Sequence, residues 1–346
     1  MRYNHVYMNA LGYELPYEVV SSEDLEARLA PLYETLHFKA GQLEALTGVR
    51  ERRFWPADYP MHQGAVAAGK KALAQAGIQK ERIGMLVYGG VCRDHLEPAT
   101  ACAVAHGLEL AAHVQVFDLS NACLGMLNGM LQVANAIELG FIEAGLVVSC
   151  ESARQIMDLT IERLLERGDM ETFKKTVATL TGGSGAVAVI LSRGDQGGNG
   201  HRLIGATLRN AVSHHRLCRW GPDTGIPATA PHAMETDSVA VLQHGVRLGL
   251  ETYQAFKTEL GWPADKPDRI ICHQVGAAHQ KTILDAIGIS EERDFATYPY
   301  LGNIGTVSLP ITAAIAQERG CLETGDLVGF LGIGSGLNCL MLGLQW

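Results

Sequence analysis

No run of about 18 uncharged apolar residues occurs in the chain, which excludes a membrane-spanning helix. The opening residues, MRYNHVYMNALGYELP, contain no long apolar stretch, so no signal peptide is expected and a cytoplasmic location is. Among the eight cysteines there is no CxxC pair, and no Cys/His cluster has the spacing of a zinc site. Reduced thiols in a cytoplasm fit better than a disulfide scaffold. Positive charge is in deficit: 28 Lys and Arg against 37 Asp and Glu leave a net charge of −9, which argues against general nucleic-acid binding. His214, His215 and His232 share an irregular loop but no defensible ligand spacing, so no metal is expected. A dinucleotide fingerprint is also missing. LGIGSGLNC (331–339) is glycine-rich, but it opens no long helix and only a few residues follow it.

What is present is ample core material: 346 residues, 47% hydrophobic and 19% charged, enough for two domains or one large one. Short apolar runs at 83–88, 114–118, 145–149, 185–191, 269–273 and 327–333 read as buried strands. Helical patterns cover 62–76, 124–139, 242–260 and 307–319, and the alternation predicts an α/β fold. A faint repeat accompanies it. Shifted by 180 residues, 131–145 falls on 311–325 with Ala, Glu and Gly in register, and Cys123 falls on Asn303. ERIGMLVYGG (81–90) likewise echoes DRIICHQVGA (268–277). Two similar halves follow, 1–190 and 191–346, with SRGDQGGNG (192–200) as the linking turn. A charged helical insertion (154–180) and a Pro/Gly/Thr/His-rich segment (210–238) lie outside the repeat, and long irregular segments of this kind often form lids or binding loops.

Cys123 in FDLSNACLGMLNGM follows an apolar strand and a tight turn, at the start of a small-residue helix. Helix N-termini favour the thiolate, so Cys123 is a candidate nucleophile, or else a buried structural cysteine. His273 ends an apolar run, where α/β proteins open their crevices. Asn303 stands in a glycine-bounded turn before a helix, as a site residue or a simple cap. Glu97 precedes a proline after a strand, a position common for solvated loop carboxylates. The turn Gly334–Ser335–Gly336 is a candidate donor of backbone N–H groups to an oxyanion, or a plain β-turn. Arg209, Arg216 and Arg219, and likewise Arg50, Arg52 and Arg53, are either phosphate ligands or ordinary surface arginines.

Together, Cys123 at a helix start, a late His273, Asn303 thirty residues on and a C-terminal glycine turn resemble the thiolase superfamily, near its 3-oxoacyl synthase III branch. The likeness runs from TGVRERR (47–53) through NACLGMLNGM (121–130), CHQVGAAH (272–279) and GNIGTVSLP (302–310) to GIGSGLNC (332–339). The OleA family, which condenses two fatty acyl-CoA molecules head to head, is more similar still. RDHLEPATA places Glu97 26 residues before the cysteine, where that family has its catalytic glutamate, and 160–186 is similar to its charged helical segment. Some positions depart from synthase III: Gln42 and Leu46 stand where that branch holds the CoA adenine with Trp and Arg, and Ala278 stands where it docks acyl carrier protein with Arg. The 210–238 segment is longer than the OleA family's, which leaves the acyl or CoA entrance open.

The resemblance implies a thiolase fold of two pseudo-repeated halves in αβαβα layers. It implies a Cys123–His273–Asn303 triad, and Glu97 as the base that takes a Cα proton, delivered from the partner subunit of an obligate homodimer. Acyl-CoA thioesters would be the substrates, with no cofactor; the product would be a 2-alkyl-3-keto acid, available to downstream lipid enzymes. Two alternatives stay open at this point: decarboxylative condensation with a malonyl thioester, which needs no base, and a catalytically silent thiolase-fold subunit.

Overall fold

The computed structural model describes residues 1–195, 200–221 and 234–346. The strands are β1 (Val6–Glu14), β2 (Glu18–Ser21), β3 (Glu51–Phe54), β4 (Ile83–Gly89), β5 (Gln115–Leu119), β6 (Ala144–Glu151), β7 (Gly185–Arg193), β8 (His201–Asn210), β9 (Cys218–Trp220), β10 (Met234–Thr236), β11 (Arg269–Cys272), β12 (Leu327–Gly334) and β13 (Asn338–Gln345). The helices are α1 (Ser22–Arg28), α2 (Ala30–Leu36), α3 (Gln42–Thr47), α4 (Met61–Ala76), α5 (Thr100–Gly107), α6 (Gly125–Glu138), α7 (Arg154–Arg167), α8 (Met170–Thr176), α9 (Ser238–Leu260), α10 (Ala277–Ile287), α11 (Tyr298–Leu301) and α12 (Ser308–Glu318).

Nine strands form one mixed sheet in the order β11-β12-β13-β8-β1-β7-β6-β4-β5. Outward from its centre the same pairing scheme runs both ways. β1 is antiparallel to β7, β7 to β6, and β6 parallel to β4; β8 is antiparallel to β13, β13 to β12, and β12 parallel to β11. Among the described residues, the pairs Tyr7↔Arg202 and Met8↔His201, with the isolated bridge Arg2↔Gly205, join the two sets. Alternation along the strands builds the layers, because successive side chains point to opposite faces. On β7, Val187, Val189 and Leu191 enter a central core, while Ala186, Ala188 and Ile190 face an outer one. On β13, Leu340, Leu342 and Leu344 enter that same central core, while Cys339 and Met341 face away.

The central core is filled by α6 and α12, through residues such as Met130, Ile137, Leu309 and Ile315. Alanines 65, 68 and 72 of α4 lie flat on one outer face with Val104 of α5; Leu248 and Phe256 of α9 cover the other with Leu284 of α10. The result is the α/β thiolase fold, helix–sheet–helix–sheet–helix. A satellite core joins α1, α2 and α3 to α7, α8 and the 179–181 turn, so the 154–180 segment is helical and packed. No helix among the described residues is long and apolar enough to cross a membrane.

The six strands and four helices expected from apolar periodicity are present within a few residues of their expected ends. β1, β8 and β13 were not anticipated. β1 is interrupted by Asn9, which is buried because its Oδ1 accepts a hydrogen bond from Ser192 Oγ at 2.7 Å. Of the linking turn, 196–199 lie outside the described residues, as do 222–233 of the 210–238 segment, including His232.

Candidate active site

Cys123 sits on an elbow between β5 and α6. Ala122 adopts φ +45°, a left-handed conformation that costs a non-glycine residue of order 1–3 kcal/mol and recurs at functional sites. α6 approaches β4 closely because Gly125 has no side chain: a Cβ there would lie 2.6 Å from the Gly89 carbonyl oxygen. The helix N-terminus does not yield a thiolate. Burial pushes the Cys123 thiol up to about 12, with further contributions from Cys218 and Glu151. In addition, the first-turn N–H of Met126 is already committed to Thr306 Oγ1 at 2.7 Å. Cys123 therefore rests as a thiol, and to act as a nucleophile it would need a base.

His273 extends β11 by one more bond, its N–H donating to Leu331 O at 3.0 Å. Burial, with His279 beside it, pushes its pKa down to about 4, so it is neutral at physiological pH. Its Nδ1 lies 2.8 Å from Ser308 Oγ, and Ser308 Oγ donates to the Gly305 carbonyl at 2.9 Å. A hydroxyl has one proton, and that proton goes to Gly305. Nδ1–H must therefore be the donor to Ser308, which leaves Nε2 with a free lone pair, the form of a general base.

Asn303 is held by its backbone: its N–H donates to Thr181 O at 2.8 Å, and its carbonyl accepts from Gly183 N at 3.0 Å. Its Oδ1 accepts from Gly305 N at 3.1 Å, which orients the amide and leaves the NH2 group as the free donor. The segment 303–308 thus gathers the three residues: it contains Asn303, caps the Cys123 helix through Thr306 and holds His273 through Ser308.

Gly334 ends β12 against the nucleophile. A Cβ on it would lie 3.3 Å from the Cys123 backbone nitrogen, so glycine permits the approach. Ser335 and Gly336 form the turn into β13, closed by Asn338 Nδ2 donating to Ser335 O at 3.3 Å and to Asn121 Oδ1 at 3.2 Å. The latter bond fastens the glycine turn to the elbow.

Glu97 lies elsewhere. It is exposed, on the loop between β4 and α5, and no bond in the Cys123–His273–Asn303 network reaches it. Asp94 anchors that loop to α4, accepting from Met61 N at 2.6 Å and pairing with His62 Nδ1 at 2.7 Å. Among the arginines, Arg52 is neither a phosphate ligand nor a surface residue. It is fully buried, donating to Ser22 Oγ at 3.1 Å and to Leu180 O at 3.2 Å. Arg53 donates to Pro16 O at 3.0 Å, and Arg50 is exposed. Arg209 and Arg216 are exposed, while Arg219 faces Glu235 at 3.8 Å. On α3 Gln42 is half-buried and Leu46 exposed, and Ala278 is exposed on α10. His214 stacks on His244 with ring centroids 3.8 Å apart.

Sequence reading did not single out Ser308, Thr306, Glu151 or Cys218. Ser308 and Thr306 lie within the GNIGTVSLP motif, where a hydroxyl three and five residues after Asn303 was the available signal. Cys218 lies on β9, paired with β10 across Cys218↔Thr236, near enough to Cys123 to help push its thiol up.

A family model described as 3-oxoacyl-[acyl-carrier-protein (ACP)] synthase III matches residues 117–211, and its C-terminal counterpart matches 258–346. An acyl-CoA:acyl-CoA alkyltransferase of Shewanella oneidensis is 50% identical over 349 residues, covering 100% of both chains. The Xanthomonas campestris pv. campestris protein of the same name is 35% identical over 328 residues, covering 94% of each. Crystal structures of Xanthomonas campestris OleA align with a TM-score of 0.93 at 34% identity over 100% of this chain and 98% of that one. One of them holds lauric acid and lauroyl-CoA, with a TM-score of 0.92 at 34% identity over 99% of this chain and 100% of that one. The cysteine and glutamate substituted in those structures have the same sequence separation as Cys123 and Glu97. The chain belongs to the OleA family of acyl-CoA:acyl-CoA alkyltransferases, within the synthase III group of the thiolase superfamily.

Proposed function

We propose that this chain joins two fatty acyl-CoA molecules by a non-decarboxylative Claisen condensation through an acyl-Cys123 intermediate. The observation that carries the choice over malonyl-dependent condensation is the whole-length 50% identity to an acyl-CoA:acyl-CoA alkyltransferase. In the first step His273 Nε2 takes the Cys123 proton as Sγ attacks the thioester carbonyl. The oxyanion is met by the Cys123 N–H and the adjoining glycine turn, and loss of one such donor typically costs about 2.7–4 kcal/mol. The imidazolium returns its proton to the departing CoA sulfur.

The second acyl-CoA keeps its carboxyl-derived carbon, so a base must remove a Cα proton. Glu97 is that base, supplied by a second copy of the chain, which accounts for its exposure in one copy alone. The enolate attacks the acyl-Cys123 carbonyl and releases the cysteine, and the Asn303 NH2 group donates to the enolate oxygen. Hydrolysis of the remaining thioester gives a 2-alkyl-3-keto acid. The exposed Arg209 and Arg216 are candidates for the CoA phosphates, Arg219 less so because Glu235 already faces it.

The test is a product assay with a long-chain acyl-CoA and no malonyl donor. A ketone of nearly doubled chain length, formed when the keto acid loses CO2, is expected. Stalling at one acyl group per Cys123 until a malonyl thioester is added refutes the reading. For Glu97, Glu97→Ala should acylate Cys123 but not condense, and mixing it with Cys123→Ala subunits should restore condensation. Full condensation by Glu97→Ala alone removes Glu97 from the mechanism.

A further inference from the structure

One buried carboxylate at the site has no part in the steps above. Glu151 ends β6 and is 5% exposed. Its Oε1 accepts from Val91 N at 2.8 Å and its Oε2 from Cys92 N at 3.2 Å. These are the first residues of the loop that reaches Glu97. The stem of the same side chain lies against the triad turn: a Cβ on Gly305 would meet Glu151 Cγ in ordinary van der Waals contact at 3.4 Å. Gly305 in turn bonds Asn303 through its N–H and Ser308 through its carbonyl. Trp55 Nε1 fixes the Glu151 backbone carbonyl at 3.2 Å. A single side chain therefore bridges the root of the Glu97 loop and the turn that carries Asn303 and, through Ser308, His273.

We propose that Glu151 is a positioning residue for condensation: its carboxylate sets the Glu97-bearing loop in register with the Asn303–Ser308 turn, so that the base arrives opposite the acyl-cysteine. This rests on the reading of Glu97 as the base. Glu151 does not act as the base itself, because both of its oxygens are engaged by backbone N–H groups and its place is beneath the turn.

Glu151→Gln keeps the shape but turns an amide NH2 toward one of the two N–H donors. Acylation of Cys123, read as acyl-enzyme formed on rapid mixing with acyl-CoA, should not fall, since losing the Glu151 charge eases rather than hinders loss of the Cys123 proton, while ketone formation falls at least tenfold. Equal loss of both half-reactions, or no loss in either, overturns the proposal. If Glu97→Ala condenses normally, the base reading has failed, and the acylation/condensation split in Glu151→Gln still reports on Glu151 by itself. If Glu151→Gln does not fold, Glu151→Asp, too short to hold both N–H groups, takes its place with the same expected split.

Discussion

Replacing Ser308 by alanine isolates the control of the His273 tautomer. The hydroxyl is fully buried and makes two bonds, 2.8 Å to His273 Nδ1 and 2.9 Å to Gly305 O. Without it, Nδ1–H is a buried donor with no acceptor, a penalty of about 1–3 kcal/mol. The imidazole escapes that penalty by moving its proton to Nε2, which removes the lone pair that must accept the Cys123 proton. At about 1.4 kcal/mol per factor of ten, acylation should slow roughly 10- to 100-fold. Stability should fall by only about 1–2 kcal/mol, for the lost bonds. Rapid-quench mixing with acyl-CoA, followed by intact-protein mass, measures the acylation rate directly. Acylation within twofold of the parent, in a folded Ser308→Ala protein, refutes the tautomer argument.

Two further outcomes follow from burial. Because the Cys123 thiol is pushed up to about 12, the thiolate is the minor form throughout the neutral range, and iodoacetamide alkylation of Cys123 should climb steadily with pH up to at least pH 9; a plateau near pH 7 contradicts a desolvated, protonated thiol. Arg52→Ala should destabilise the fold by about 3 kcal/mol through the cavity it leaves, seen as a lower thermal midpoint with KM for acyl-CoA unchanged; a raised KM at constant midpoint returns Arg52 to the CoA phosphates.

The candidate residues were legible in the sequence because their signals are local, although only their joint order pointed to a triad. A small-residue helix after a strand marks Cys123, a strand terminus marks His273, and a glycine-bounded turn marks Asn303. Each depends on a few neighbouring residues, which is the range over which backbone preference operates. Six of the nine strands of the central sheet were legible for the same reason, since runs such as 185–191 are apolar on both faces. β1 was not, because Asn9 is acceptable in a buried strand only when Ser192, from β7, is there to pair with it.

The sequence by itself determined the fold class, the order of the core elements and which cysteine, histidine and asparagine stand at their ends. Tertiary structure alone decided how those groups are charged and what they can do. Desolvation made Cys123 a thiol and His273 a neutral imidazole; the Ser308 bond, across 35 residues, chose the tautomer. Enclosure turned Arg52 from a candidate anion ligand into an interior prop, and exposure left Glu97 outside the network of its own chain. The physical reason is common to all four. A protonation state or a binding role is set by the sum of dielectric, charge and hydrogen bonds converging from distant segments, and no window of the sequence contains that sum.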